Sequence, residues 1–306
     1  MQYGLWSNPL YLQTALLLIG VLALFGLLTF LLSNKGPLIN SAWASLKSWI
    51  FVIPFVFAIL ALDDPWPLVF MVALCVQSAK TFFQMVGAYH RSWFVWLTYV
   101  FIVFQGYLVH EPSMVFLFDL TPMIFLGAVA MIPLIRNSAL HMIQYMALSL
   151  ICFSFFGWSL LHMARFIHME GGILILIYLV MLTEVSENVC WAVSRTFGKI
   201  KLFGKISNKV TLEGFLIALV VTLVLAWGMR HLLPVRSEQY WLAAGLVAAV
   251  FGRFGDLILS VIRRDLGIKN TGIFIFGRDD ILARVDKLIF VGPLFYYVFV
   301  FLQQGS

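Results

Sequence analysis

From Gly255 to Asp286 the chain reads GDLILSVIRRDLGIKNTGIFIFGRDDILARVD, and 13 of these 32 residues are polar or ionisable. Asp256 and Ser260 stand four apart and share a helical face, with Arg263 and Arg264 on the turn that follows. Asp279 and Asp280 come next in a glycine-containing loop, then Arg284 and Asp286. Carboxylates interleaved with basic groups suit Mg2+-dependent phosphoryl or nucleotidyl transfer. The carboxylates hold the metal, and the cations offset charge developing on the phosphates. A solvated charged loop also accounts for the charge, but not for Asp256 lying so close to apolar sequence.

Two further polar groups precede this stretch. Glu184 and Glu187 lie three apart in TEVSENVCWAVSR, on one side of a helix. A carboxylate within a membrane span is costly and is by default a functional candidate, although the mouth of a span, where water reaches it, would also tolerate both. The segment FGKIKLFGKISNKVTLEGF (197–215) sets Lys199, Lys201, Lys205 and Lys209 at near-alternating positions beside Gly198 and Gly204. Ammonium groups next to flexible backbone can converge on a phosphate, while a loop that only fixes membrane orientation would carry the same lysines. Ser207 or Thr211 is placed to cap the helix that follows. Asp119 stands near Pro122 and suits either a cap on a broken helix or a functional group.

The elements that must hold these groups are apolar. Hydrophobic residues make up 62% of the 306 and charged residues 11%, where a soluble domain carries roughly a quarter charged. Apolar runs predict spans near 12–33, 49–62, 67–86, 93–109, 114–135, 141–164, 171–192, 212–232, 239–262 and 288–303. The second is short and can pair with the third through a turn at Asp63, Asp64, Pro65 and Pro67. The first lacks a basic leader and a small-residue cleavage site, so it reads as a retained helix. The expected fold is an all-α integral membrane protein, a polytopic bundle of about ten transmembrane helices with a polar site on the cytoplasmic face. Residues 1–180 read as a transmembrane scaffold half and 181–306 as the half that carries the polar groups.

With the N-terminus outside, fifteen of the twenty Lys and Arg fall on the cytoplasmic side, from Lys35 to Lys287. Only Arg165, Arg230 and Arg236 face outward, and Lys80 and Arg253 lie within spans, so the positive-inside rule sets the orientation. The net charge of +6 is therefore topological first, and an attraction for anionic lipid or nucleotide second. Cys75, Cys152 and Cys190 fall in apolar spans without paired spacing and read as small buried hydrophobes. The histidines are scattered and form no metal-binding pair.

At these residues the chain resembles the phosphatidate cytidylyltransferases, or CDP-diacylglycerol synthases. Their signature, G-D-L followed by S-x-x-K-R-x4-K-D-x-G-x4-G-H-G-G-x2-D-R-x-D, is met without a gap by Gly255, Asp256, Leu257, Ser260, Arg264, Lys269, Gly272, Gly277, Arg284 and Asp286. The upstream pattern F-G-K-x-K-L-x2-K-x-S-P-x-K-T-x-E-G is met by Phe197, Gly198, Lys199, Lys201, Leu202, Lys205, Ser207, Thr211, Glu213 and Gly214. The likeness is specific over roughly 183–290. It departs at Arg263, Asn270, Arg278, Asp279, Asp280 and Ala283, and upstream at Asn208, Val210 and Glu187.

The resemblance implies transfer of a cytidylyl group from CTP to phosphatidate or a related lipid phosphate in phospholipid biosynthesis. It implies Asp256, Lys269, Arg284 and Asp286 as catalytic residues. Lys199, Lys201, Lys205, Ser207, Thr211, Glu213, Ser260, Arg263 and Arg264 would bind substrate. Asp256, Glu187, Asn270, Asp279 and Asp280 would hold Mg2+ or another divalent cation. The partners would be CTP and a membrane lipid phosphate, without nucleic acid, in a bacterial inner membrane, and the family suggests a homodimer. Asn270 and Ala283 also keep open a divergent paralogue that binds nucleotide or lipid in a regulatory role.

Overall fold

The computed structural model describes residues 5–32, 37–207, 210–235, 237–267 and 281–304, without the side chains of 37–42, 44, 45, 47, 48 and 112. Among them the backbone is helical, and its one β feature is an isolated antiparallel bridge between Lys201 and Thr211. Among the described residues, eight helices are long and apolar enough to cross a membrane. They are α1 (Pro9–Leu31), α3 (Trp66–Met85), α4 (Ser92–His110), α5 (Val115–Ile135), the composite Met142–His168, α8 (Gly172–Thr196), α10 (Glu238–Asp265) and the stretch Leu282–Gln304. The composite holds α6 (Met142–Cys152), a π-helical stretch Phe153–Ser159 and α7 (Leu160–Arg165). Two shorter apolar helices join them: Trp49–Leu60, within α2 (Pro37–Leu60), and α9 (Leu212–Gly228). The last stretch divides into α11 (Leu282–Val285) and α12 (Leu288–Gln304). Such a set of apolar helices makes this an integral membrane protein.

The chain falls into two compact units. One compact unit comprises 1–70 with 270–284, the other 71–269 with 285–306. In the first, Asn8 caps α1 by accepting from the Leu10 and Tyr11 N–H groups, with Pro9 as the first helical residue. α1 then lies along α2, where the buried Tyr11 hydroxyl donates to the Phe57 carbonyl at 2.6 Å. Between α2 and α3 the chain turns over Asp63–Pro65, with a cis Asp64–Pro65 bond.

The second unit is organised around α8. Every residue from Gly172 to Leu179 is buried, as expected of a helix apolar all round and enclosed by others. α9, α10 and α12 pack against it, and α12 also lies against α10 and α7. A second core forms where the π-helical stretch meets its neighbours: Phe153 stacks on Phe125 at 4.4 Å between centroids, and Phe156 meets Phe82 at 5.5 Å. At one end of this unit Asp119 accepts from Arg165 at 3.1 Å and from the Tyr297 hydroxyl at 2.9 Å. The Arg165 guanidinium lies between the rings of Phe118 and Tyr296. Asp119 thus ties α5 to α7 and α12 and does not cap a broken helix.

Candidate active site

The ends of α8, α10 and the segment leading into α12 meet because α10 presents glycine where it touches that segment. A Cβ on Gly255 would lie 1.7 Å from the Asp286 carbonyl oxygen, and one on Gly252 would be 3.7 Å from Thr183 of α8 and 3.9 Å from Val291 of α12. With no side chain at Gly255, the α10 backbone abuts Asp286, and the next residue of the helix is Asp256.

Charges gather at this junction. The Lys287 ammonium lies 2.6 Å from Glu184 Oε1 and 2.5 Å from Glu187 Oε2, with the lysine side chain 5% exposed. Asp286 is buried, and the charges of Glu187, Asp256, Lys287 and Arg263 act on it. Its Oδ1 accepts from the Lys287 backbone N–H at 2.7 Å. Asp256 is half-buried and makes no hydrogen bond or ion pair with a described residue. The Nε of half-buried Arg263 is enclosed without a partner among the described residues. One turn before Asp256, buried Arg253 donates to the Ser186 carbonyl, and its Nη2 lies 3.4 Å from the Ser186 hydroxyl.

The lysine-bearing loop is built on the same helix. Ser194 lies seven residues beyond Glu187 on α8, about 10 Å along the axis. Its hydroxyl takes the Thr211 N–H at 3.2 Å and pairs with Thr211 Oγ1 at 3.0 Å. Thr211 caps α9 by accepting from the Gly214 N–H at 3.2 Å. The Glu213 carboxylate takes the N–H groups of Lys199 at 3.1 Å and Ile200 at 3.3 Å, so it holds the loop backbone. The turn is closed by Leu202 N–H to the Val210 carbonyl at 3.2 Å and Leu212 N–H to the Ile200 carbonyl at 2.9 Å. Lys199, Lys201 and Lys205 project exposed from this braced turn, and Ser207 is buried within it.

The structure therefore brings together Glu187, Asp256, Arg263 and Asp286 from the residues singled out in the sequence. Ser260 lies one turn beyond Asp256 on α10, half-buried, and Arg264 is exposed near the end of that helix. In the other compact unit, the Arg284 guanidinium lies 4.6 Å over the Trp49 ring. Lys209, Lys269, Asn270, Asp279 and Asp280 lie outside the described residues. Glu187, expected to hold metal, is engaged by Lys287. Sequence reasoning missed Lys287, Glu184's part in holding it, Arg253 and Ser194. Lys287 is one hundred residues from Glu187 and looked like one more topological cation. Its only local signal is a position between Asp286 and an apolar span.

The model of the cytidylyltransferase family matches residues 43–302. The chain belongs to the cytidylyltransferase family. It is 26% identical over 246 residues to the uncharacterized protein YnbB of Escherichia coli (strain K12), covering 75% of this chain and 78% of that one. It is 32% identical over 131 residues to the phosphatidate cytidylyltransferase of Bacillus subtilis (strain 168), and 30% over 125 residues to that of Staphylococcus aureus (strain COL). These last two matches cover 42% and 40% of this chain and 48% of each relative, so the chain spans about half the length of the phosphatidate cytidylyltransferases it matches. Membership makes this a nucleotidyltransferase-type membrane protein, and the acidic junction of α8, α10 and α12 is where its carboxylates meet.

Proposed function

We propose that the chain transfers the cytidylyl group of CTP to phosphatidate or a related lipid phosphate, forming CDP-diacylglycerol or its analogue and releasing pyrophosphate. A lipid phosphate oxygen attacks the α-phosphorus of CTP, the new P–O bond forms there, and the bond to the β,γ-pyrophosphate breaks. No group on the protein need form a covalent bond. Its work is alignment and charge neutralisation.

The observation that carries this reading is the pair Asp256 and Asp286 in the family's signature, at the polar end of a membrane bundle beside Arg263. Both carboxylates keep oxygens free of partners among the described residues, a donor set that fits a hard divalent cation such as Mg2+. Such an ion, held by Asp256 and Asp286, would offset charge on the nucleotide phosphates. Arg263 and Arg264 supply cations toward the same phosphates. Lys199, Lys201 and Lys205 reach the nucleotide from a turn that Glu213, Thr211 and Ser194 keep in shape. Ser207 and Ser260 offer hydroxyl donors. The site opens to the cytoplasmic face of a bacterial inner membrane, where CTP is available.

The test is incorporation of radiolabelled CTP into lipid by the purified protein with phosphatidate and Mg2+. Asp256→Ala is expected to lower it by at least about a thousandfold, since a carboxylate that places charge next to the reacting phosphate is removed. A folded preparation that binds CTP yet incorporates none would instead favour a binding paralogue, in keeping with Ala283 and Asn270.

A further inference from the structure

Glu184 and Glu187 sit one turn apart on α8 with oxygens converging on one point, the arrangement that would hold a cation. The point is filled by the Lys287 ammonium, at 2.6 and 2.5 Å from the two carboxylates. This ammonium is a monovalent cation carrying three N–H donors. It has little room to swing away. Its side chain is 5% exposed, the preceding carbonyl is pressed against Gly255, and the Ile289 N–H binds that same carbonyl at 3.2 Å.

We propose that Lys287 is a resident cation of this site. It takes the place between Glu184 and Glu187 that a metal ion would otherwise fill, and leaves divalent binding to Asp256 and Asp286. This rests on the reading of the acidic junction as the metal and phosphate site. Lys287 is then a positioning residue. It keeps two carboxylates of α8 compensated beside the reacting phosphates, so that the site takes up one added cation fewer than its carboxylates suggest. Removing the ammonium takes away the one cation that both half-buried carboxylates share at close range, and a cation from solution would take its place.

The experiment uses the purified full chain in detergent with Mn2+ as the probe, free Mn2+ being read by electron paramagnetic resonance without nucleotide or lipid. The unaltered protein is expected to bind one Mn2+ per chain. Asp256→Asn should weaken it by about tenfold or more, whereas Glu187→Gln should change it by less than about threefold. Lys287→Ala should gain a second cation. That gain would appear as a second bound Mn2+, or as a rise in melting temperature with KCl over choline chloride that ethylammonium reproduces. Lys287→Arg should behave as the unaltered protein. The proposal is overturned if Glu187→Gln weakens Mn2+ as much as Asp256→Asn does, if a folded Lys287→Ala gains no cation, or if the unaltered protein binds no Mn2+. Should the alanine variant fail to fold, the Glu187→Gln comparison decides alone. Expected Mn2+ behaviour in a protein that transfers no label from CTP would sink the transferase reading and leave this one standing.

Discussion

Gly255 shows how one missing side chain shapes the site. Its neighbour across the interface is the backbone carbonyl of Asp286, which cannot rotate away as a side-chain tip would. Gly255→Ala must therefore push α10 and the Asp286–Lys287 segment apart. The expected cost is about 1–3 kcal/mol of stability, with loss of cytidylyl transfer because Asp256 and Asp286 both move. Gly127 is the matched control, since a Cβ there would meet nothing within 4 Å. Gly127→Ala, in mid-helix on α5, should leave stability unchanged or raise it by up to about 1 kcal/mol. Melting both variants in detergent checks the sign of each effect, and equal melting temperatures would refute the steric account. At this scale the sequence was partly legible. Asp256, Asp286 and Arg263 were singled out by type and spacing and do meet, but the partners of Lys287 and Ser194 come from helices far away in the chain, and no local pattern encodes such pairings.

Among the elements, helices whose apolar stretch matches their length were read to within a few residues: 67–86 against Trp66–Met85, 93–109 against Ser92–His110, and 239–262 against Glu238–Asp265. Where hydropathy and helicity part company, the reading fell short. The second span was expected from residue 49, yet α2 begins at Pro37, because a segment holding Asn40, Ser41, Ser45, Lys47 and Ser48 hides a helix from a hydropathy window without preventing one. The π-helical stretch Phe153–Ser159 was not foreseen, since a single widened turn leaves the apolar run unbroken. The capping of α9, in contrast, was legible, as Thr211 does hold the Gly214 N–H. Thr211 also grips Ser194, so it joins the cap to the lysine-bearing turn. Thr211→Val removes both bonds while keeping the shape, and should cost about 1–2 kcal/mol. It should also raise the KM for CTP more than it lowers kcat, because the turn that presents Lys199, Lys201 and Lys205 is loosened. Thr211→Ser should restore both; a Thr211→Val enzyme with unchanged KM would separate the turn from nucleotide binding.

For the molecule as a whole, sidedness decides whether the proposed chemistry can run, because CTP is supplied from one face only. The lysines of the 197–211 turn and the acidic ends of α8 and α10 belong to one end of the second unit. α9 departs from that turn and ends at Gly228, beside Arg230 and His231. Its 17 residues rise about 26 Å, close to the roughly 30 Å hydrocarbon thickness, so a transmembrane α9 would set its two ends on opposite faces. By the positive-inside rule, the excess of Lys and Arg at the first end predicts a cytoplasmic position for it. Lys205 and His231 are both exposed, and Cys75, Cys152 and Cys190 are all buried, so single introduced thiols can be read against a quiet background. In intact bacterial cells expressing the protein, a membrane-impermeant maleimide should label His231→Cys, and should label Lys205→Cys only after permeabilisation. The opposite pattern would turn the site away from its nucleotide, and the transferase reading would fail on topology whatever the carboxylates can bind.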